Sequence, residues 1–271
     1  MDDNPVLNPS YKYKAIKTEQ RGPVLEITLN RPERLNTFNA EMQRDFTALQ
    51  LELERSPEIR CAIVFAAGER AFGAGADLSW FEQDWTAARF RTEYRWIHDF
   101  FDVLERIELP VIAAVFGTCA CGGLELAMAC DFRIAADDAR FGFTEGNINL
   151  IPGSGGCSRL VKMIGPGWAK ELVLAGEFID AARALQIGLV TRVVAKAALA
   201  DEARALADKL IKKAPQALGA AKAVINACQN IDATSGRILE RMAQSSLILS
   251  QDHREGVRAF REKRTPQYKG R

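Results

Sequence analysis

Two short runs, Cys61-Ala-Ile-Val-Phe-Ala66 and Val111-Ile-Ala-Ala-Val-Phe116, carry no charged or strongly polar side chain. A strand that is apolar on both faces needs cover on both, the situation of a parallel sheet flanked by helices. Val24-Leu-Glu-Ile-Thr-Leu29 alternates instead, so it is expected to be a half-buried strand with Glu26 and Thr28 turned to solvent. Asn39 is placed to cap a helix whose Met42, Phe46, Leu49 and Leu53 recur at helical spacing, and Pro57 bars its continuation. Phe90, Tyr94, Ile97, Phe101 and Leu104 predict one long amphipathic helix ending before Pro110, its stripe given to core or subunit contact. A helix from about Cys157 to Ile164, closed by Gly165, and a last strand over Leu189–Val194 complete an α/β pattern. From about residue 197 the strand signal stops, and helices are expected over roughly 197–213, 215–229, 235–250 and 252–263. The chain thus divides into a core over 1–196, with 1–10 a loose tail, and a helical region over 197–271.

Composition narrows the function classes. A net charge of +1 over 271 residues provides no global field to recruit nucleic acid or an anionic membrane. The first residues lack both an apolar signal core and an Arg-rich amphipathic pattern, and no apolar run reaches a membrane span, so a cytoplasmic setting is expected. Cys61, Cys119, Cys121, Cys130, Cys157 and Cys228 are expected to be buried small hydrophobes with reduced thiols. Cys119-x-Cys121 has the wrong spacing for zinc and only His98 and His253 are available, so no metal site is expected. The loop Ala67–Leu78 is rich in Gly and Ala, which lets backbone N–H groups approach a ligand, but it is neither GxGxxG nor a Walker loop.

The chemistry concentrates between Ala113 and Gly156, where Glu125 and Glu145 stand among small and apolar residues. Glu125 follows Gly122-Gly123 at the start of a helix, and Glu145 follows Phe141-Gly-Phe143 at the end of a strand. Two carboxylates from separate elements are what a general acid and a general base require, one holding its proton while the other lacks it. For either one alone, a solvated helix or loop carboxylate is the favoured reading.

These residues carry a resemblance. Ala71-Phe-Gly-Ala-Gly-Ala-Asp-Leu78, Gly122-Gly-Leu-Glu-Leu-Ala127, Ala129-Cys-Asp131 with Arg133-Ile-Ala-Ala136, Phe141-Gly142 with Glu145, and Ile151-Pro-Gly-Ser-Gly-Gly156 resemble, in order and spacing, the crotonase (enoyl-CoA hydratase/isomerase) superfamily. The resemblance runs from Leu29-Asn-Arg-Pro32 to His253–Lys263. It implies a spiral of repeated ββα units with a helical C-terminal trimerisation region, hence a homotrimer or dimer of trimers. It also implies an acyl-CoA substrate and no cofactor, coenzyme A entering as the thioester part of the substrate. The family's two oxyanion N–H donors fall on Ala76 and Gly122, and removing one such donor costs roughly 10²–10³ in rate. Glu125 then activates a water, Glu145 delivers a proton to C2, and the Gly153 N–H helps to position the water. The coenzyme contacts fall on Arg34, Leu35, Ala74 and Leu78, with Ala76 and Asp77 in the same loop, and Lys263 reaches a phosphate on its own or a neighbouring chain.

Several positions depart from the common pattern: Cys121 for the first Gly of a triplet, Phe116 for Asn, Phe143-Thr144 for Gln-Pro, and Trp80-Phe81 after the oxyanion loop. With aromatic groups at those positions, a bulky acyl group is expected. Retention of both acids favours hydration of a 2-enoyl-CoA over the family's enoyl-CoA isomerases or hydroxycinnamoyl-CoA hydratase/lyases. Mixed surface charge stands against an RNA-binding or scaffold role.

Overall fold

The computed structural model describes residues 11–270, so the expected tail at 1–10 lies outside the described residues. An antiparallel pair, β1 (Ile16–Arg21) and β2 (Val24–Leu29), leads into α1 (Ala40–Arg55), where the Asn39 side chain accepts from the Met42 N–H. Three strand pairs follow: β3 (Cys61–Ala66) with β4 (Ala71–Gly73), β5 (Val111–Val115) with β6 (Thr118–Ala120), and β7 (Phe132–Ala136) with β8 (Arg140–Gly142). Helices α2 (Ala87–Glu93) and α3 (Arg95–Arg106) separate the first two pairs, α4 (Gly122–Ala129) separates the last two, and α5 (Gly156–Val173) follows the third. After α5 come β9 (Ile179–Asp180), α6 (Ala181–Gln186) and β10 (Arg192–Val194).

First members of the pairs join a six-stranded sheet, β1-β2-β3-β5-β7-β10, parallel from β2 onward; second members join a four-stranded sheet, β4-β6-β8-β9. Each turn of chain adds one strand to each sheet. This is the spiral of ββα units that the resemblance implies.

The apolar runs are covered on both faces, as their composition requires. Ala62 and Val64 face a core shared with Phe46, Leu49, Phe101 and Leu104. Cys61 and Ile63 face a second layer formed by Leu199, Ala203, Leu206 and Ala207 of α7 (Leu199–Leu210). So α7, beyond the 196/197 division drawn from sequence, is the outer cover of the large sheet. It also overturns the half-buried reading of β2. Glu26 is only 5% exposed, because Arg204 of α7 lies over it and forms two hydrogen bonds of 2.7 and 2.9 Å.

One helix expectation is corrected: the stripe from Phe90 to Leu104 is two helices, α2 and α3, meeting at Tyr94. The α5 span is broken at Gly165 (φ 77°, ψ 165°), which closes its first helical segment as read, and a second segment runs on to Val173. The remaining helices are α8 (Pro215–Cys228), α9 (Ala233–Leu247) and α10 (Gln251–Glu262). Among the cysteines, Cys61, Cys119 and Cys130 are buried, whereas Cys121 is half-buried and Cys157 and Cys228 are exposed. No helix among the described residues is long and apolar enough to cross a membrane.

Candidate active site

Strand β6 delivers the chain into α4, whose eight residues are all buried. That depth depends on Gly123, where a Cβ would stand 2.2 Å from the Gly73 carbonyl oxygen of β4. Glu125, one turn into α4, is 2% exposed, and its Oε1 accepts from the Ser154 N–H at 2.7 Å and the Gly156 N–H at 2.8 Å. Gly156 makes the approach possible, since a Cβ there would lie 2.9 Å from the same oxygen. Burial pushes Glu125 up to about 7; the two N–H donors pull it down, and the neighbouring Glu145 charge pushes it up.

Glu145 opens a 3₁₀ turn (Glu145–Ile148) just after β8. It is half-buried, burial raises its pKa, and its Oε2 is buried without a hydrogen-bond partner among the described residues. The two glutamates thus come, from a helix and a turn, within electrostatic reach of each other. Cys121 lies beside Glu145. Its backbone is left-handed (φ 53°, ψ −130°), a conformation that favours glycine, and its Sγ lies 3.2 Å from the Thr144 Oγ1. Burial and then the Glu145 charge push this thiol up to about 11, so it is neutral at physiological pH.

The loop after β4 closes against Cys121 and Gly122: a Cβ on Gly75 would stand 2.6 Å from the Cys121 Cβ and 3.3 Å from the Gly122 nitrogen. Among the described residues, neither the Ala76 nor the Gly122 N–H donates to a protein acceptor, so both are available to an oxygen entering between the loops. Leu35 and Asn36, both left-handed, turn the chain alongside, and the Ala74 N–H donates to the Leu35 carbonyl at 3.1 Å. Leu35 and Ala74 are thereby brought together, and their chain neighbours Arg34 and Leu78 are both exposed. Asp77 is committed elsewhere, to an ion pair with Arg31 at 3.1 Å and to capping the turn at Ser79. Lys263, at the end of α10, makes no hydrogen bond or ion pair to Arg34, Leu35, Ala74 or Leu78 among the described residues.

Tyr94 is the residue that sequence reading missed, having been assigned to a core stripe. Its ring lies 3.4 Å from where a Gly153 Cβ would stand, and its hydroxyl accepts from the Ser154 Oγ at 3.1 Å. Burial first, then the Glu125 charge, push its hydroxyl up to about 12, so it remains protonated. Trp80 and Phe90 pack with it, Phe90 stacking at 5.0 Å, and Trp85 packs on both of those rings. Phe143 lies beside the Gly156 turn. Phe116 does not join them: it belongs to the outer core layer, with Lys196 4.9 Å over its ring. A large cavity of about 1240 Å³ lies on the far side of the Gly153–Gly155 loop, between α3, α5 and α8, and neither glutamate lines it.

Known proteins match this architecture over nearly its whole length. The family model described as enoyl-CoA hydratase/isomerase matches residues 19–271. The short-chain-enoyl-CoA hydratase of Clostridium acetobutylicum is 37% identical over 246 residues, 91% of this chain and 94% of the relative. The carnitinyl-CoA dehydratase of Citrobacter koseri is 38% identical over 258 residues, 93% of this chain and 97% of the relative. The crystal structure of an enoyl-CoA hydratase from Bacillus anthracis superposes with a TM-score of 0.91 at 36% identity, covering 95% of this chain and all of that one. With the spiral of paired strands, the small-residue loops and the two neighbouring glutamates, these matches establish that the chain belongs to the enoyl-CoA hydratase/isomerase family.

Proposed function

We propose that the protein is an enoyl-CoA hydratase, adding water across the C2=C3 bond of a 2-enoyl-CoA thioester. The observation that carries this reading is the pair itself: Glu125, buried and held by two backbone donors, beside Glu145 with an unpartnered buried oxygen. The thioester oxygen accepts from the Ala76 and Gly122 N–H groups, which carry the negative charge as it develops toward an enolate. Glu125 takes a proton from the water attacking C3, Glu145 delivers a proton to C2, and the Gly153 N–H steadies the water. Like charges within reach of each other favour one shared proton across the pair near neutral pH, which is the state acid–base hydration needs. The step is redox-neutral and its atoms balance without a cofactor.

Coenzyme A lies on the rim of Arg34, Leu35, Ala74, Ala76 and Leu78, with Lys263 meeting a phosphate across an assembly of chains. The close aromatic packing of Trp80 and Phe81 supports a shaped acyl pocket, though Phe116 takes no part in it. Helices α8–α10 build a homotrimer or dimer of trimers in the cytoplasm. The test is water addition to 2-enoyl-, 3-enoyl- and hydroxycinnamoyl-CoA, followed by mass. Hydration of the 2-enoyl thioester is expected, with losses of about 10²-fold or more in both Glu125→Gln and Glu145→Gln. Full hydratase activity in Glu125→Gln would falsify the two-acid reading, and turnover of the 3-enoyl thioester alone would select the isomerase.

A further inference from the structure

Ser154 is 1% exposed, and each of its three polar groups is engaged by a different residue. Its N–H is on Glu125 Oε1, its Oγ donates to the Tyr94 hydroxyl, and its carbonyl accepts from Arg159 Nη1 at 2.9 Å. Arg159 is itself held from α3: Nη2 lies 2.7 Å from Asp102 Oδ1 and 2.9 Å from Glu105 Oε2, and Nε 3.2 Å from Glu105 Oε2. Tyr94 sits at the N-terminal end of the same helix, its ring stacked on Phe90 and meeting His98 edge-on at 5.1 Å. Gly155 makes room for the guanidinium; a Cβ there would fall 1.9 Å from Arg159 Nη1, and its φ is 101°.

From this geometry we infer that Tyr94 and Arg159 are positioning residues, which clamp Ser154 against α3 from two sides and so hold its N–H on the Glu125 carboxylate. The inference rests on the hydratase reading, in which Glu125 acts as the base. Neither residue needs to touch substrate to matter. A donor kept at 2.7 Å favours the ionised carboxylate, and the Arg159 charge acts in the same direction. The other titratable and charged groups around Glu125 are Glu145 after β8, Tyr94 itself and Cys157 on α5, with Cys121 beside Glu145 and Asp102 and Glu105 behind Arg159. His98 lies on α3 next to Tyr94.

The experiment is the pH profile of kcat/KM for 2-enoyl-CoA hydration in wild type, Tyr94→Phe, Arg159→Lys and Arg159→Gln. A base must be ionised, so a weakened clamp moves the acid limb to higher pH. We expect an upward shift of about half a unit in Tyr94→Phe and about one in Arg159→Gln, with kcat about 5- to 10-fold lower and KM within about twofold. Arg159→Lys, which keeps the charge but not the fork, falls between Arg159→Gln and wild type. Tyr94→Phe combined with Arg159→Lys costs less than the product of the two, because both act through Ser154. An acid limb unmoved in Tyr94→Phe and Arg159→Lys overturns the clamp, whatever happens to kcat. Tyr94→Phe retains the ring stack, so it remains informative if Arg159→Gln does not fold. The ionisation is also read without turnover, from the pH at which the difference in urea stability between wild type and Glu125→Gln levels off. That pH follows the folded-state ionisation of Glu125, so it must rise when Tyr94→Phe is added to both proteins. Failure of the hydratase reading is separate: it shows as a wild type that does not hydrate, or a Glu125→Gln variant that does.

Discussion

Glu125 illustrates how the site opposes the stability of the fold. Its pKa in the folded protein, about 7, lies above the ordinary carboxylate value of 4.5 because burial disfavours the charge. A group raised on folding contributes stability that is fully present below its unfolded pKa and is lost as pH rises through the folded one. Between pH 4.5 and 7 the protein therefore loses stability at this residue, by roughly 3 kcal/mol at 1.36 kcal/mol per unit. Glu125→Gln, which retains an oxygen for the Ser154 and Gly156 donors, is expected to be more stable than wild type by about that amount at pH 8 and nearly equal to it at pH 4. Urea unfolding at the two pH values checks this, and an equal or lower stability of the variant at pH 8 contradicts it. Cys121 is a second residue where backbone strain meets the proposed function: a non-glycine at φ 53° stands directly before the Gly122 amide, so its ψ sets the direction of the N–H proposed to hold the thioester oxygen.

At the scale of elements, the C-terminal helices are secured to the spiral through a few polar contacts. The Lys222 ammonium of α8, 8% exposed, donates to the Leu104 and Leu109 carbonyls at 2.7 and 3.1 Å and to Asp131 Oδ2 at 2.8 Å. Removing one partner of such a buried pair leaves the other charge uncompensated, which costs far more than the pair contributes. Lys222→Met is expected to destabilise the protein by about 3–5 kcal/mol in urea, whereas a surface pair such as Arg95–Asp99 tolerates the equivalent change. A loss below about 1 kcal/mol for Lys222→Met contradicts this account of how α8 is anchored. Asn226, one turn on, donates to the Glu105 carbonyl, so α8 grips the same α3 that holds Tyr94 and Arg159.

Across the whole molecule, α8–α10 leave large apolar side chains in the open. Ile225 is 64% exposed, Met242 64%, Leu249 73% and Phe260 87%, more than isolated surface residues require. A second and third copy of the chain would cover them, consistent with the assembly proposed above. Phe260→Asp is expected to shift sedimentation toward smaller species at micromolar concentration, and an unchanged profile removes Phe260 from the interface. If Lys263, three residues on, serves coenzyme A across that interface, the same variant raises KM as the assembly dissociates.

Sequence alone determined the features that are local in the chain. Apolar runs at β3 and β5 required cover on both faces, Asn39 capped α1 as read, and the Gly-rich segments around Glu125 and Glu145 marked the family. Only the tertiary structure decided which face of an element is covered and by what. Glu26 is buried because Arg204, 178 residues away, reaches it, and Tyr94 joins the groups around Glu125 because Ser154, 60 residues away, folds against it. Phe116 lies in the outer layer, apart from the glutamates, because α7 claims that face of the sheet. Periodicity reports that a side chain is to be buried; the partner that buries it comes from a distant segment, and no local pattern in the sequence names that segment.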